Sequence, residues 1–250
     1  RIDWMWANKA VFDANGISVP TTWDEVNAAA EKLKAAGIIP FAHGGQAWQD
    51  ATVFEAVAMG IGGNNYYKNC YVDLKESCLR SETTVKVFDQ MRKLQSYTDE
   101  GSPGRDWNVA TGMVIEGKAG FQIMGDWAKG EFTAAGKVPG VDYYCAPTPS
   151  NNGYLYNVDS FIFYKTSDPE KQEGQKLLAK LMMGKNFQKV FNLYKGSIPA
   201  RLDVPMDEFD KCAKTSNSDI KTAGASGGLV PSFAHGMAQG NTMKAALQDI

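Results

Sequence analysis

The residue that could most directly bind a ligand is Trp127, in the stretch Gly117–Phe132. Small and apolar residues run from Ala119 to Met124, and Gly125 and Asp126 then turn the chain. A brief apolar run bounded by glycines predicts a short buried strand. Trp127 would then present its flat indole at the mouth of a pocket. The common alternative for a tryptophan after a turn is packing at the rim of the core.

Two further tryptophans are candidates for stacking on a ligand. Trp48 lies in a loop predicted over 44–49, directly after a strand predicted over 38–42. Ligands of open α/β sheets collect at the carboxyl ends of strands, which favours Trp48 as the second aromatic residue of a pocket. Trp107, in a polar loop before a short helix, is the third candidate.

The chain offers little for catalysis or metal binding. Asp126 and Glu131 are a possible carboxylate pair, but carboxylates where a helix begins are more often caps. No G-x-S-x-G motif accompanies the two histidines, His43 and His235, and no cysteine or histidine spacing fits a zinc site. We therefore predict no catalytic residue, no metal and no cofactor.

The composition argues against nucleic acid and membranes as partners. Residues of the hydrophobic class make up 44% of the chain and charged residues 22%, with a net charge of -2. This balance gives no electrostatic footprint for nucleic acid or for an anionic membrane surface. No apolar run approaches the roughly 18 residues of a membrane span, so no direct membrane insertion is expected.

Four motifs, in this order along the chain, resemble the extracellular solute-binding proteins of ABC sugar importers. They are Trp6-Ala7-Asn8-Lys9-Ala10-Val11-Phe12, Pro20-Thr21-Thr22-Trp23-Asp24-Glu25, the F-x-I-M-G-D-W run that ends at Trp127, and Gly196-Ser197-Ile198-Pro199-Ala200-Arg201. Within that family, the chain is similar to the glucose-binding proteins of Gram-negative bacteria. The motifs are spread over nearly the whole chain.

The resemblance implies an α/β fold of the periplasmic-binding-protein-like type II class, mainly its carboxyl-terminal lobe. Residues 1–156 and 199–250 would form that lobe. Residues 157–198 would contain hinge-crossing strands and two helices that belong to the amino-terminal lobe, the start of which we expect to be missing from this sequence. Apolar residues of those helices would then face a sheet that these 250 residues do not encode. We expect the segment to be poorly ordered, packed against another copy of the chain, or covered by amino-terminal residues omitted from this sequence.

The implied function is the periplasmic, substrate-binding component of an ABC sugar importer. It would bind a monosaccharide, glucose or else mannose or galactose, in an interlobe cleft that closes by hinge motion, and then dock on the permease subunits. A glycosidase-type carbohydrate-active enzyme and a lectin-like sugar-binding module are the alternatives. A sugar needs aromatic faces for its C–H groups and paired polar groups for its hydroxyls.

Four polar residues complete the site that the resemblance implies: Asn157, Asp159, Lys195 and His235. Asn157 and Asp159 are two residues apart on a strand predicted over 154–164, so they share one face. Lys195 and His235 match a lysine and a histidine of the glucose-binding branch. Without the resemblance, a solvated lysine and a histidine bonded to backbone are the ordinary interpretations.

The four cysteines, Cys70, Cys78, Cys145 and Cys212, allow two disulfides in three connectivities. Cys70 and Cys78 flank a short segment and could staple a small loop. Buried free thiols are the alternative, but the periplasmic resemblance implies at least one bridge.

Several helices follow from periodicity and end signals. We predict helices beginning at Thr22, over 52–59 (ended by glycines 60–63) and over 83–96, and two more over 168–183 and 186–194. Near the carboxyl end, 204–212 and 237–247 are predicted as helical, and the polar stretch 216–228 as loop with a short helix.

Overall fold

The computed structural model of the protein describes residues 1–150 and 153–238. Within these residues the strands are β1 Trp4–Asn8, β2 Ile39–Phe41, β3 Ala119–Met124, β4 Tyr143–Pro147, β5 Tyr154–Tyr156 and β6 Leu229–Pro231. The helices are α1 Lys9–Ala14, α2 Trp23–Ala35, α3 Ala47–Tyr67, α4 Glu76–Leu79, α5 Glu82–Gln95, α6 Trp107–Ile115, α7 Ala128–Ala134, α8 Pro169–Met182, α9 Lys185–Lys195 and α10 Lys211–Ser226. A π-helical turn, Lys68–Val72, follows α3.

The main sheet is mixed, with strand order β2-β3-β1-β4. β2 and β3 run parallel, whereas β1 is antiparallel to both β3 and β4. Every residue of β3 is buried, as expected for the predicted short buried strand. Along β1, Met5 and Ala7 contribute to one hydrophobic core, and Trp4 and Trp6 to a second. Since alternate residues of a strand face opposite sides, the sheet is covered on both faces.

The predicted helix at Thr22 is confirmed, and Thr22 is its cap. The Thr22 hydroxyl accepts from the backbone N–H of Glu25, and the Glu25 carboxylate accepts from the Thr22 N–H in return. This reciprocal capping box satisfies amides that would otherwise lack partners. The helices predicted over 83–96, 168–183 and 186–194 are confirmed as α5, α8 and α9 within one or two residues at their ends.

The prediction over 44–63 is wrong in two places. The helix begins at Ala47, so Trp48 lies in the first turn of α3 and not in a loop. It also continues past glycines 60–63 to Tyr67, with one break at Gly63, whose φ is 73°. Flanking packing outweighs the local helix-breaking tendency of glycine here, and only Gly63 takes the left-handed conformation that favours it.

The carboxyl-terminal predictions need further correction. The strand predicted over 154–164 is only β5, paired in parallel with β6, and 157–165 has no regular structure. The helix predicted over 204–212 is absent, whereas Lys211–Ser226, placed mainly in a loop, is helix α10. The Asp210 side chain accepts from the Ala213 N–H and caps it. The helix predicted over 237–247 lies mostly outside the described residues.

The cysteines form two disulfides. Cys70 is bonded to Cys78 across the π-helical turn and α4, with Cα atoms 5.2 Å apart. Cys145 of β4 is bonded to Cys212 of α10, with Cα atoms 6.0 Å apart. The second bridge joins the edge strand of the main sheet to a helix that is distant in sequence.

Helices α8 and α9 expose much of their apolar surface. Leu177 is 60% exposed and Leu181 is 61% exposed, and none of the residues of α8 is buried. Val190 and Phe191 of α9 are also exposed. An open groove of about 560 Å³ runs between the two helices. Among the described residues, Phe191 contacts Phe161, and Leu193 packs against a small cluster around Val204 and Phe209. The apolar surface of α8 stays largely exposed.

Among the residues described, no helix combines the length and the apolar character that crossing a membrane would require.

Candidate functional site

Three ring side chains from separate parts of the sequence meet in what we call the aromatic trio: Trp48, Trp127 and His235. The Trp127 and His235 ring centroids are 5.1 Å apart, and those of Trp48 and His235 are 6.0 Å apart. The two indoles are 6.4 Å apart and tilted by 48°. All three side chains are only partly buried. The trio therefore offers exposed ring surface of the kind that stacks on an apolar ligand face.

The turn after β3 sets the position of Trp127. Gly125 passes so close to the indole that an added Cβ would lie 2.1–2.5 Å from three of its ring atoms. The ring can fold back over the turn only because residue 125 has no side chain. Trp127 directly precedes the first residue of α7. The glycine that predicted a strand end thus also orients the tryptophan.

Gln46 fixes Trp48 and is a residue that the sequence analysis missed. The indole N–H of Trp48 donates to Gln46 Oε1 at 2.8 Å, and Gln46 Nε2 donates to Asp106. Gln49 also donates to Gln46 Oε1 at 3.1 Å. A glutamine carries both a donor and an acceptor, so it can link an indole to a carboxylate. No local sequence pattern predicts this role of Gln46.

His235 lies in a tight turn after β6. Its backbone N–H donates to the Ser232 hydroxyl at 3.1 Å, and its ring Nε2 lies 3.0 Å from the Thr52 hydroxyl. Thr52 follows Trp48 by one helical turn on α3, so both face the histidine. Thr52 was also missed by the sequence analysis, because a threonine within a helix normally bonds to the backbone.

Asn157, Asp159 and Lys195 form a second, polar cluster beside the trio. Asn157 Nδ2 donates to Asp159 Oδ1 at 3.1 Å, and the Lys195 ammonium forms an ion pair with the other oxygen of Asp159. Burial raises the pKa of Asp159, but hydrogen bonds and charge from Lys195 outweigh burial and hold the pKa below its usual range. The charge of His235 contributes in the same direction, which links the cluster electrostatically to the trio.

A close backbone contact places Lys195 near Trp127. Gly196, which ends α9 with a φ of 91°, would bring a Cβ within 2.8 Å of the Asp126 carbonyl oxygen and 3.0 Å of the Gly130 nitrogen. Only glycine combines this left-handed conformation with such an approach. The end of α9 is therefore packed tightly against the start of α7.

Trp107 stands apart from the aromatic trio. It is the first residue of α6 and was predicted in a loop before that helix. Its side chain borders the same hydrophobic core as Trp48 and Trp127, but in the described chain the ring contacts of the trio do not extend to it. Its nearest link is through Asp106, which accepts the hydrogen bond from Gln46.

The structure thus gathers six of the seven predicted site residues into two adjoining groups. One group presents ring faces, and the other presents an amide, a carboxylate and an ammonium. Residues 1–150 and 153–238 contain no cluster of three or more histidine, cysteine or acidic side chains that could hold a metal ion. Such a surface suits a neutral ligand with apolar C–H groups on one side and hydroxyls around its edge.

Comparisons with known proteins identify the family. The family model described as bacterial extracellular solute-binding protein matches residues 2–182. A protein of Brucella suis named "Probable sugar-binding periplasmic protein" is 47% identical over 249 residues, which are 99% of this chain and 59% of that protein. A protein of Rhizobium meliloti with the same name is 46% identical, over 99% of this chain and 60% of its own. The chain therefore spans about three fifths of the length of these relatives.

Solved structures show the same fold at low identity. A structure titled "Chitin oligosaccharide binding protein" superposes with a TM-score of 0.75 at 21% identity, over 99% of this chain and 64% of that chain. The bacterial solute receptor AcbH, described as preferring β-D-galactopyranose, superposes with a TM-score of 0.72 at 21% identity, over 99% and 63%. The fold is that of the type II periplasmic binding proteins.

The chain belongs to the bacterial extracellular solute-binding proteins, a family of binding proteins and not of enzymes.

Proposed function

We propose that the protein is the periplasmic, sugar-binding component of an ABC importer. Family membership and relatives named as sugar-binding periplasmic proteins support this proposal. The observation that carries it is the meeting of Trp48, Trp127 and His235 beside the polar cluster. Its expected partners are a sugar and the permease subunits of the transporter.

We further propose that the ligand is a monosaccharide, with glucose first and mannose or galactose next. Two indoles and a histidine offer ring faces on which one sugar ring can stack, and Asn157, Asp159 and Lys195 offer donors and acceptors for its hydroxyls. Structures of the same fold carry titles that name mannobiose and maltose as well as galactopyranose, so a disaccharide is the second candidate.

The test is calorimetry on the full-length protein with glucose, galactose, mannose and maltose, followed by the monodeoxy analogues of the sugar that binds. A contacted hydroxyl leaves buried partners unpaired when it is removed, at a cost of about 1–3 kcal/mol. We expect at least two analogues to bind 10-fold or more weakly, by that estimate. Equal affinity for all of them would contradict hydroxyl recognition by the polar cluster.

We also propose the domain division stated from the sequence: 1–156 and 199–250 as one lobe, and 157–198 as a segment of a second lobe. The exposed apolar residues of α8 and α9 and the groove between them support this, because fully burying each such side chain stabilises a protein by about 1.5–3 kcal/mol. The occupant that we propose is another part of the full-length protein. A sugar bound between the lobes would then favour the closed arrangement.

A further inference from the structure

A buried carboxyl group lies directly behind the aromatic trio. Glu55 is completely buried in α3, one helical turn beyond Thr52. Its Oε1 accepts from the Ser232 hydroxyl at 2.7 Å, and its Oε2 is 2.9 Å from the Tyr67 hydroxyl. The backbone N–H of Ala234 also bonds to the carboxyl group. Both sequence-distant partners, Ser232 and Ala234, belong to the turn that carries His235.

The Ser232 hydroxyl connects Glu55 to His235. Its hydroxyl donates to Glu55 and accepts from the backbone N–H of His235 at 3.1 Å. Ser232 is itself completely buried. The turn is thus held from inside the core, while the histidine ring emerges against Trp48 and Trp127. A small displacement of Ser232 would move that ring relative to both indoles.

Hydrogen-bond counting around Tyr67 indicates which form of Glu55 fits. The Tyr67 hydroxyl has one proton but two acceptors in reach, Glu55 Oε2 and the Pro231 carbonyl at 3.2 Å, and it accepts from the Phe233 N–H at 3.3 Å. If Glu55 carries a proton, it donates to Tyr67, and the tyrosine proton is free to bond to Pro231. If Glu55 is ionised, one acceptor loses its donor.

The charges around Glu55 favour the same form. Across the described part of the chain, no cation forms an ion pair with it. Asp3, before β1, adds negative charge, although its own carboxylate is paired with Arg1. Burial raises the pKa of Glu55 to about 8 against the smaller, lowering effects of Ser232 and Tyr67. Burial likewise raises the pKa of Tyr67 and of Tyr71, so both phenols stay protonated in the range considered.

We propose that protonated Glu55 is a positioning residue of the binding site, which holds the turn 232–235 through Ser232 and thereby fixes His235 against Trp48 and Trp127. Its consequence for affinity rests on the proposed sugar-binding function, whereas its effect on His235 does not. Ionisation of Glu55 would keep the bonds from Ser232 and Ala234, but it would draw the Tyr67 proton away from the Pro231 carbonyl, directly before the turn. The turn would then shift relative to both indoles.

The experiment uses the full-length protein in three forms: wild type, Glu55→Gln and Glu55→Leu. Glutamine has the donor and acceptor of a protonated glutamate, whereas leucine fills the space without hydrogen bonds. Histidine ring NMR signals are followed from pH 6.5 to 9.5, and a His235→Asn variant assigns the signal. His43 is the internal control, since it stacks on Phe41 and bonds to Asp50 away from the turn. Glucose affinity is measured by calorimetry on the same samples.

The wild type and Glu55→Gln are expected to behave differently at alkaline pH. In the wild type, the ring-current shift of His235 should change as the pH passes about 8, and glucose affinity should fall by about 10-fold, the effect of one lost hydrogen-bonding partner. Glu55→Gln should show neither change in that range, and Glu55→Leu should show a displaced His235 signal at every pH. Any pH-dependent change that wild type and Glu55→Gln share comes from groups other than Glu55.

Two results would overturn the proposal: identical alkaline profiles in wild type and Glu55→Gln, or an unchanged His235 signal in Glu55→Leu. If the His235 signals behave as expected but glucose and the other three sugars do not bind, the positioning role stands and the proposed sugar-binding function fails.

Discussion

At the scale of single residues, the side chains that face a ligand depend on neighbours that do not. The Trp127 ring can fold over the turn because Gly125 has no side chain, and the Trp48 indole is held by a hydrogen bond to the Gln46 amide. His235 depends on Ser232 and Thr52. The site is thus set by small and polar residues whose types alone do not signal binding.

The first prediction concerns Trp127. Trp127→Ala should weaken sugar binding to the full-length protein by about 1–3 kcal/mol, as loss of aromatic stacking does for nucleic acid bases. Calorimetry provides the measurement. Trp107→Ala is the matched control and should cost less, because Trp107 has no ring contact with the trio in the described chain. An unchanged dissociation constant for Trp127→Ala would remove this residue from the site.

The second prediction concerns the stability of Glu55 variants. Because burial raises its pKa to about 8, folded Glu55 keeps its proton where the unfolded chain, with a glutamate pKa near 4.3, has released it. Unfolding therefore releases a proton. As the pH rises between those two values, the free energy of unfolding of the wild type should fall relative to that of Glu55→Gln by about 1.4 kcal/mol per pH unit. Urea unfolding from pH 5 to 9 measures the difference, which should level off above pH 8. Parallel curves for the two proteins would contradict the raised pKa.

At the scale of elements, a disulfide bond attaches the edge strand β4 of the main sheet to helix α10. Cys145 of β4 is bonded to Cys212 of α10, and Lys129 of α7 forms a 2.8 Å ion pair with Asp210, at the start of α10. Lys129 is almost completely buried. These two contacts fix α10 against the face of the sheet that also supports Trp127.

The third prediction compares the two disulfides. The Cys145–Cys212 bridge spans 67 residues and the Cys70–Cys78 bridge spans 8. Chain-entropy estimates give about 4 kcal/mol for a loop of the first length and about 2.5 kcal/mol for the second. Urea unfolding of the two paired cysteine-to-alanine variants should therefore show the larger loss for Cys145 and Cys212. A larger loss for the Cys70 and Cys78 variant would contradict the estimate.

At the scale of the whole molecule, the described residues divide into well-packed and poorly packed parts. Helices α2, α3 and α5 pack around the first core, and the sheet separates this core from the second. Helix α9 contacts α7 and α8, but α8 buries none of its residues. Much of the apolar stripe of α8 and α9 stays exposed among these residues.

The fourth prediction concerns that stripe. If another part of the full-length protein covers α8 and α9, their amides should exchange faster in the isolated 250-residue chain than in the full-length protein. Hydrogen exchange with mass spectrometry measures both, with α2 as the control helix that should be equally protected in each. Strong protection of α8 and α9 in a monomeric 250-residue chain would show that the proposed lobe boundary is wrong.

Features that depend on a few neighbouring residues could be predicted from the sequence. The strand at Ala119–Met124 follows from a short apolar run, and helix α2 follows from its periodicity and from a start signal at Thr22. Helix α8 lies within the predicted range 168–183, and Asp168 caps it. The family also followed from motifs that are each only a few residues long. These signals are local because caps, periods and turns act within one or two turns of the chain.

Contacts between residues that are distant in the sequence depend on how the whole chain packs. The sequence allowed three disulfide connectivities, and sheet order and helix placement selected one. Helix α10 and the long α3 override weak local signals because their buried faces pack on the core. Glu55 looks like any helical glutamate in the sequence, yet it is buried behind His235 because Ser232 and Tyr67 converge on it. Burial and long-range hydrogen bonds depend on how distant segments pack together, so a local sequence pattern does not predict them.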